Sequence, residues 1–575
     1  MRNIITPVRY FVFALAIAAS CIVFWQTNRG TPLIDYSYQV ENAYRIFQGQ
    51  IPYRDFFLVV SPGTYYMMAF LMHLANGYSH MVQVYYVMLV AFCTILFTYG
   101  LLRLLNKDSV FTVVLLIPLL FSGQSIYPYP LYDPNVALSM LIALFVLFYI
   151  RKKKIIPGGW YIAAGMFAAI PTLFKQNTGA VFFLSILVVF VIATVLGKKK
   201  RDFHACILFV FGGVVVFGLF IVWLITHQAL DQFIIQTLTF PSSAKNPMEV
   251  SQRIIQQYGD YGALMVQHTS NIIVFIGLLI GTVVFSRLFQ QPIQKKIVTI
   301  VGHILIVLYS IFVFAQSYVV SDPQEFHYIY ILAFWGTFTV ISIVCCLGNA
   351  LRNDSKNDVV YVLLPIILLA SSNATFLSHG VVYSSYHMWP LAMILVAYIT
   401  HYVERVIPTI QWKLVCGIPV FFLALLLQQA VAGNYSMYYL GTALVSRATN
   451  TQLAGLSVSG PWIQEFESMV SYVQQAIPIG DTVAFLPGED PFFALTNRTN
   501  PLTFSLLHAG VYTLQPSAIL SELLQKNVEW IVVKKNYQTP PWFWISNIDG
   551  ILSHVRVYYT VTKTLPNYDI YKRNE

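Results

Sequence analysis

The sequence predicts a polytopic α-helical membrane protein with about thirteen spans, its N-terminus inside and its C-terminus outside. Amphipathic interfacial helices occupy the first outer loop, and a small extracytoplasmic α/β domain follows the last span. Three observations predict this. First, a soluble chain carries about 25% charged residues, whereas this one of 575 residues carries 10% and is 57% hydrophobic, with a mean hydropathy of +0.65. Second, apolar runs of about 18 residues or more recur, each long enough for a hydrocarbon core of about 30 Å. Third, the basic residues gather in alternate loops.

The spans read as 9–25, 82–102, 109–126, 131–150, 157–174, 178–197, 203–225, 270–286, 297–318, 328–350, 359–377, 386–402 and 414–431. One set of loops holds 19 cations: Arg2, Arg9, Arg103, Lys107, Arg151 to Lys154, Lys198 to Arg201, Arg287, Lys295, Lys296, Arg352, Lys356, Arg405 and Lys413. The opposite set holds six: Arg29, Arg45, Arg54, Lys175, Lys245 and Arg253. The positive-inside rule puts the first set in the cytoplasm. Topology therefore accounts for the net charge of +10, and no nucleic-acid partner is implied. The first apolar segment lacks a small-residue cleavage site and ends in Trp25-Gln26, so it reads as a retained span. The six cysteines fall in or at the ends of spans and form no C-x-x-C pair, which points to helix packing.

Two regions depart from plain spans, and they divide the chain into a membrane domain, 1–431, and an extracytoplasmic domain, 432–575. Within the first, the outer loop 26–81 contains a helix from Asp35 to Gln48. Tyr36, Val40, Tyr44 and Phe47 recur at helical spacing beside a polar stripe of Asp35, Gln39 and Asn42, and Gly49 stops the helix. Its aromatic face is expected to rest in the membrane interface. A second, short apolar helix follows Pro62-Gly63, over roughly 64–75. In the tail, 461–476 reads as an amphipathic helix and 518–525 as another. The stretches 483–486, 530–533, 555–561 and 568–571 read as strands. No Gly-rich phosphate loop is present.

The candidates for chemistry are few because charge is scarce. Asp35 is either a first-turn acid that stabilises its helix by about 1 kcal/mol or a general base at a membrane-facing cleft. Glu41 and Arg45 stand at i, i+4, the spacing of an ordinary helix pair. Arg54 and Asp55 follow a Pro-Tyr turn, where such a pair is not available. Asp133 either caps the fourth span or acts beside it. Lys175, at the outer end of the fifth, either snorkels or binds phosphate. The loop carrying Asp322, Glu325 and His327 offers secondary or acceptor-side groups. Two possible ligands at i, i+2 are weak evidence for a metal. A divalent metal is therefore not indicated, and no cofactor is obligatory. Acids and cations gather at one interface and avoid the midplane, which favours an enzyme at the outer leaflet over a carrier.

The order of these residues resembles the GT-C superfamily of polyprenyl-phosphate-dependent glycosyltransferases. It is most similar to the bacterial relatives of protein O-mannosyltransferases and the aminoarabinose lipid A transferase. The resemblance rests on Asp35, Ala43-Tyr44, Gly49-x-x-Pro52-Tyr53-x-Asp55, Pro62-Gly63-x-x-Tyr66, Asp133 and Lys175-Gln176. In the tail it rests on Leu486-Pro487-Gly488-Glu489-Asp490 and Thr496-Asn497-Arg498-Thr499-Asn500-Pro501. It covers most of the chain by order and topology, with no single specific motif.

The resemblance implies that Asp35 lies at the catalytic centre and that transfer inverts the anomeric carbon. Many relatives carry a second acid directly after the first. Here Tyr36 follows, which leaves Glu41, Asp55 and Asp133 as assisting acids. Arg54 and Lys175, with Arg45, are the cations for the donor phosphate. The implied partners are a polyprenyl-phosphate-linked sugar, membrane lipids and a lipid, polysaccharide or protein acceptor in the cell envelope, with the active site facing outward from the plasma or inner membrane. Nucleotide sugars stay in the cytoplasm, so an outward-facing transferase needs a donor that crosses the bilayer. A lipid-linked sugar carrier or flippase and a non-catalytic glycan-binding scaffold are the competing classes.

Overall fold

The computed structural model describes residues 2–29, 33–105, 108–153, 158–197, 200–240, 252, 256, 259, 263, 269–288, 291–320, 323–351, 358–379, 381–408, 411–433, 445–507, 515–537 and 548–574. In chain order, the first helices are α1 (Arg2–Thr27), α2 (Leu33–Phe47), α3 (Gly63–Leu74), α4 (His80–Leu105) and α5 (Ser109–Leu116). Short 3-10 turns at Ile117–Phe121 and Gly123–Ser125 continue α5. Then come α6 (Tyr132–Lys153), α7 (Gly159–Phe174), α8 (Gln176–Gly197), α9 (Lys200–Thr226), α10 (Leu230–Ile234), α11 (Thr269–Leu288), α12 (Pro292–Val320) and α13 (Pro323–Leu351). The membrane part closes with α14 (Val359–Val362), α15 (Leu364–His379), α16 (Val381–Val406) and α17 (Trp412–Gly433).

Helical segments stand at all thirteen expected span positions. Eight helices among the described residues are long and apolar enough to cross a membrane. The chain is a polytopic α-helical membrane protein. Helices suit that setting because each satisfies its own backbone hydrogen bonds. Close packing is achieved with small residues: a Cβ on Gly165 of α7 would strike the Phe209 carbonyl of α9, and one on Gly212 of α9 would strike that of Ile162.

The loops sort into two ends. At one end, Arg151 bonds Asp358 at 2.6 Å and Asp202 at 3.0 Å, and Lys413 meets Asp108 at 3.0 Å. This is the end rich in cations. The other end gathers α2, α3, the 122–131 connection, Lys175 and the C-terminal segment.

The C-terminal segment holds β1 (Val445–Arg447), β2 (Ser457–Ser459), α18 (Trp462–Ala476), β3 (Val483–Leu486), α19 (Phe492–Thr496) and α20 (Pro516–Gln525). It continues with β4 (Trp530–Lys534), α21 (Ile548–Tyr558), β5 (Tyr559–Thr564) and β6 (Tyr568–Arg573). The strands β3-β4-β6-β5 form one sheet, parallel between β3 and β4 and antiparallel elsewhere. Alternation of side chains across a strand splits this sheet between two cores. Val483, Phe485 and Val532 join the large core continuous with the membrane helices. Ala484, Leu486, Ile531 and Val533 face α20 and α21.

One expected strand is corrected: residues 555–558 end helix α21, and the strand begins at Tyr559. Ile551 and Val555 are the buried residues of α21, four apart on one helical face against the sheet, and that packing overrides the β-branched composition of the stretch.

Candidate active site

The helix α2 carries the first candidate, and its burial is unusual for a loop helix. Residues 36–46 are all buried. Gly49, at φ +88°, ends it in the left-handed region that favours glycine. Of the polar stripe, Gln39 and Asn42 are buried and Asn42 meets the C-terminal segment, while Asp35 stays exposed. The Ser37 hydroxyl donates to the Glu489 carbonyl at 2.6 Å, and Ser505 donates to Asn42 Oδ1 at 2.8 Å.

Glu41 and Arg45 make no ion pair with each other among the described residues. Glu41 Oε1 accepts from the Phe493 amide at 3.0 Å, at the start of α19. Burial pushes its carboxyl up to about 8. Arg45 donates to the Leu502 and Phe504 carbonyls at 2.6 and 2.9 Å, and burial pulls its guanidinium down to about 10. Both residues fasten α2 to the C-terminal segment.

Asp35, in the first turn of α2, differs from its buried neighbours Ile34 and Tyr36 because solvent reaches it. Its carboxyl is nevertheless held above the usual carboxylate range by the protein packed around it, and the Tyr129 hydroxyl, donating to Oδ2 at 3.1 Å, counters that rise. Tyr129 comes from the aromatic, proline-rich connection Tyr127-Pro-Tyr-Pro before α6, a signal the sequence reading passed over.

Asp133 and Lys175 meet at 2.6 Å, with side chains 2% and 4% accessible. Asp133 lies in the first turn of α6, and Lys175 is the one non-helical residue between α7 and α8. Lys175 Nζ lies 5.3 Å from the centre of the Tyr132 ring. Beside the pair, Tyr86 donates to Asn135 at 2.7 Å, and Asn135 donates to Thr64 at 3.0 Å. Gln176 receives the Ser61 amide at 3.0 Å and donates to the Val59 carbonyl at 2.9 Å, binding the α3 approach to α8.

Arg54 and Asp55 form an ion pair at 2.7 Å, and Arg54 is 43% accessible. Asp55 also accepts the Ile51 amide at 2.7 Å. The hydrogen bonds, set chiefly by Arg54, outweigh partial burial and hold its carboxyl below the usual range. Tyr53 adopts φ +71° in this turn, and Gln236 braces it through the Tyr53 carbonyl and the Leu58 amide at 3.0 and 2.8 Å.

Asp322 lies outside the described residues. Glu325 and His327 fall in the first turns of α13, with their side chains outside the description. Lys245 and Arg253 are likewise outside it. No cluster of three or more His, Cys, Asp or Glu side chains that could hold a metal occurs among the described residues. The sequence reading also missed Lys534. Fully buried, it bonds Glu489 at 2.7 Å and Asp490 at 2.8 Å, and Tyr568 donates to Asp490 at 2.8 Å. The alternation of β4 that sends Trp530 and Val532 inward delivers Lys534 to the same face.

No family model matches the chain, and no curated protein matches it. Among solved structures, it is similar to ArnT from Cupriavidus metallidurans bound to undecaprenyl phosphate, at 11% identity and a TM-score of 0.43, over 98% of this chain and 97% of that one. It is similar to the apo state of the same protein at 11% identity and a TM-score of 0.42, over 98% of each chain. With TM-scores below 0.5, these likenesses carry no residue roles to this chain.

Proposed function

We propose that the protein is an inverting glycosyltransferase that moves a sugar from a polyprenyl-phosphate donor to a hydroxyl acceptor, outside the cytoplasm. The observation that carries this reading is Asp35: a solvent-reached carboxyl, hydrogen-bonded by Tyr129, at the end of the helix bundle opposite the cation-rich loops. The positive-inside bias assigns that end to the outer face.

The acceptor oxygen attacks the anomeric carbon as its proton passes to the Asp35 carboxylate. The bond from that carbon to the phosphate oxygen breaks, and its electron pair leaves with the polyprenyl phosphate. Arg54, exposed and paired only at the surface, turns from Asp55 to meet the growing phosphate charge. Lys175 stays with Asp133 and shapes the inner wall. Glu41 and Arg45 position α2 and take no direct part. The phosphate already leaves as a stable anion, so no metal is required by this scheme.

The test is Asp35→Asn in purified protein, assayed for loss of sugar from a polyprenyl-phosphate hexose in the presence of cell-envelope acceptors. Transfer should vanish while thermal unfolding stays unchanged. Full activity in that variant would overturn the reading. Transbilayer movement of the donor in proteoliposomes, without transfer, would establish the carrier instead.

A further inference from the structure

Asp35 sits in a turn of α2 that is gripped from two sides. The Tyr36 hydroxyl lies 2.8 Å from His80 Nδ1, which ties α2 to the start of α4. The Ser37 hydroxyl donates to the Glu489 carbonyl at 2.6 Å, which ties α2 to the connection between β3 and α19. Four residues further on, Glu41 accepts the Phe493 amide at 3.0 Å. Where Asp35 stands against Tyr129 therefore depends on where residues 489–493 stand. That connection is held in turn by Lys534, at the end of β4. Its ammonium bonds Glu489 Oε2 at 2.7 Å and Asp490 Oδ1 at 2.8 Å, and Tyr568 of β6 donates to Asp490 Oδ2 at 2.8 Å. All four side chains are fully buried. Gly488, at φ +99°, packs against the Ser505 carbonyl, which a Cβ would strike. Glu489 thus serves two partners at once: its carbonyl meets α2, and its carboxylate meets the sheet.

Buried charge is a poor way to stabilise a fold, because apolar side chains of similar volume often do as well or better. What it adds here is direction. An ammonium has three donors, and charge-assisted hydrogen bonds are short and strong. A connection packed by apolar contacts alone can slide. One bonded at two consecutive residues by a single ammonium cannot shift without breaking a bond. A displacement of about 1 Å at a reacting group can cost about 100-fold in rate, so the fixing of this connection bears on chemistry as well as on folding.

Resting on the reading of Asp35 as the base, we propose that Lys534 is a positioning residue for the transfer: by fixing Glu489 and Asp490 it fixes the carbonyl that holds Ser37, and so the place of Asp35 against Tyr129. The test reads Asp35 directly in the full-length protein. A diazo reagent esterifies protonated carboxyls, and peptide mass spectrometry follows Asp35 as the pH is varied. Tyr129→Phe sets the scale, because it removes the hydrogen bond that favours the carboxylate. Ser37→Ala cuts the link to α2. The triple variant Lys534→Met, Glu489→Gln and Asp490→Asn removes the cluster's charges together. Asp490→Leu with Tyr568→Phe halves the grip and leaves Lys534 and Glu489 as a balanced pair. Each should move the Asp35 midpoint to higher pH, in the direction of Tyr129→Phe. Ser37→Ala combined with a charge variant should move it no further than the larger of the two alone, because they act on one path. Ile551→Ala, a cavity in the second core of the C-terminal segment, should lower the unfolding temperature and leave the midpoint in place. In the transfer assay, Ser37→Ala and the charge variants should lower kcat about tenfold or more and leave KM for the donor nearly unchanged. No shift in Tyr129→Phe, in Ser37→Ala or in whichever charge variant folds, additive shifts in the combination, or an equal shift in Ile551→Ala would overturn the inference. Absence of transfer by the unaltered protein would bring down the donor reading instead, and the labelling would still decide whether Lys534 places Asp35.

Discussion

The Tyr129 hydroxyl donates to Oδ2 of Asp35 at 3.1 Å, joining segments 94 residues apart. Asp35 sits on a helix outside the spans, and Tyr129 on the connection into α6, so this bond exists only if the loop helix is seated on the bundle. It also opposes the effect of burial on the Asp35 carboxyl. Surrounding protein favours the protonated acid, and the phenol favours the carboxylate.

A pH profile tests that balance. On the proposed mechanism activity needs ionised Asp35, so it should be present above the folded pKa and lost as pH falls through it. Tyr129→Phe removes an influence that lowers the pKa, so the acid limb of the rate profile should move to higher pH. The rate above the limb should change little. An unmoved limb would show that Tyr129 does not tune Asp35.

Arg45 predicts a stability loss. Arg45→Met removes the charged donor from the Leu502 and Phe504 carbonyls, and Phe504 keeps the Asn500 amide at 3.1 Å. Hydrogen bonds to charged groups contribute about 1.5–3 kcal/mol each, so roughly 3 kcal/mol or more should disappear. Thermal unfolding would fall, and limited proteolysis would open the C-terminal segment first. Unchanged proteolysis would mean that α2 docks by other contacts.

Glu41 predicts how that docking responds to pH. Its folded pKa is raised from 4.5 to about 8, chiefly by burial. Between those values the folded form keeps a proton that the unfolded form has released. Its contribution is therefore fully present below about 4.5 and is lost as pH rises toward 8. Glu41→Gln, which still accepts the Phe493 amide, should flatten this part of the stability curve. A curve of the same slope in both proteins would assign the dependence to another group.

Lys175 and Asp133 separate folding from chemistry. Lys175→Met takes the ion-pair partner from the buried Asp133 carboxylate, and breaking a buried pair on one side costs about 3–5 kcal/mol. The double variant Asp133→Asn with Lys175→Met removes both charges and should recover most of the thermal stability. On the proposed mechanism the pair shapes the donor site, so sugar transfer should stay impaired in the double variant. Recovery of both together would limit the pair to a structural role.

Much of the architecture was legible because it is dictated locally. Apolar length sets a span whatever its neighbours are, and helical segments stand at each expected position. The stop at Gly49 and the helix 462–476 follow from glycine freedom and 3.6-residue periodicity in the same way. The stretch 555–558 was misread because packing of Ile551 and Val555 against the sheet outweighs β-branched propensity. Asp35 stood out as a rare charge, and so did Glu41 and Arg45. Nothing in their i, i+4 spacing told that both would reach the C-terminal segment, more than 450 residues away.

By itself, the sequence determined that the chain is a many-helix membrane protein, roughly where its spans lie, and that its scarce acids lie between spans or at their ends. Burial of apolar length and the distribution of charge are properties of composition and order, and need no partner. Only the tertiary structure decided which acids share a wall. It brought Tyr129 to Asp35, Lys175 to Asp133 and Lys534 to Glu489 and Asp490. It also left His387 buried without a hydrogen bond among the described residues. Such meetings depend on how distant segments pack, and residues far apart in the chain carry no mark of who their neighbours will be.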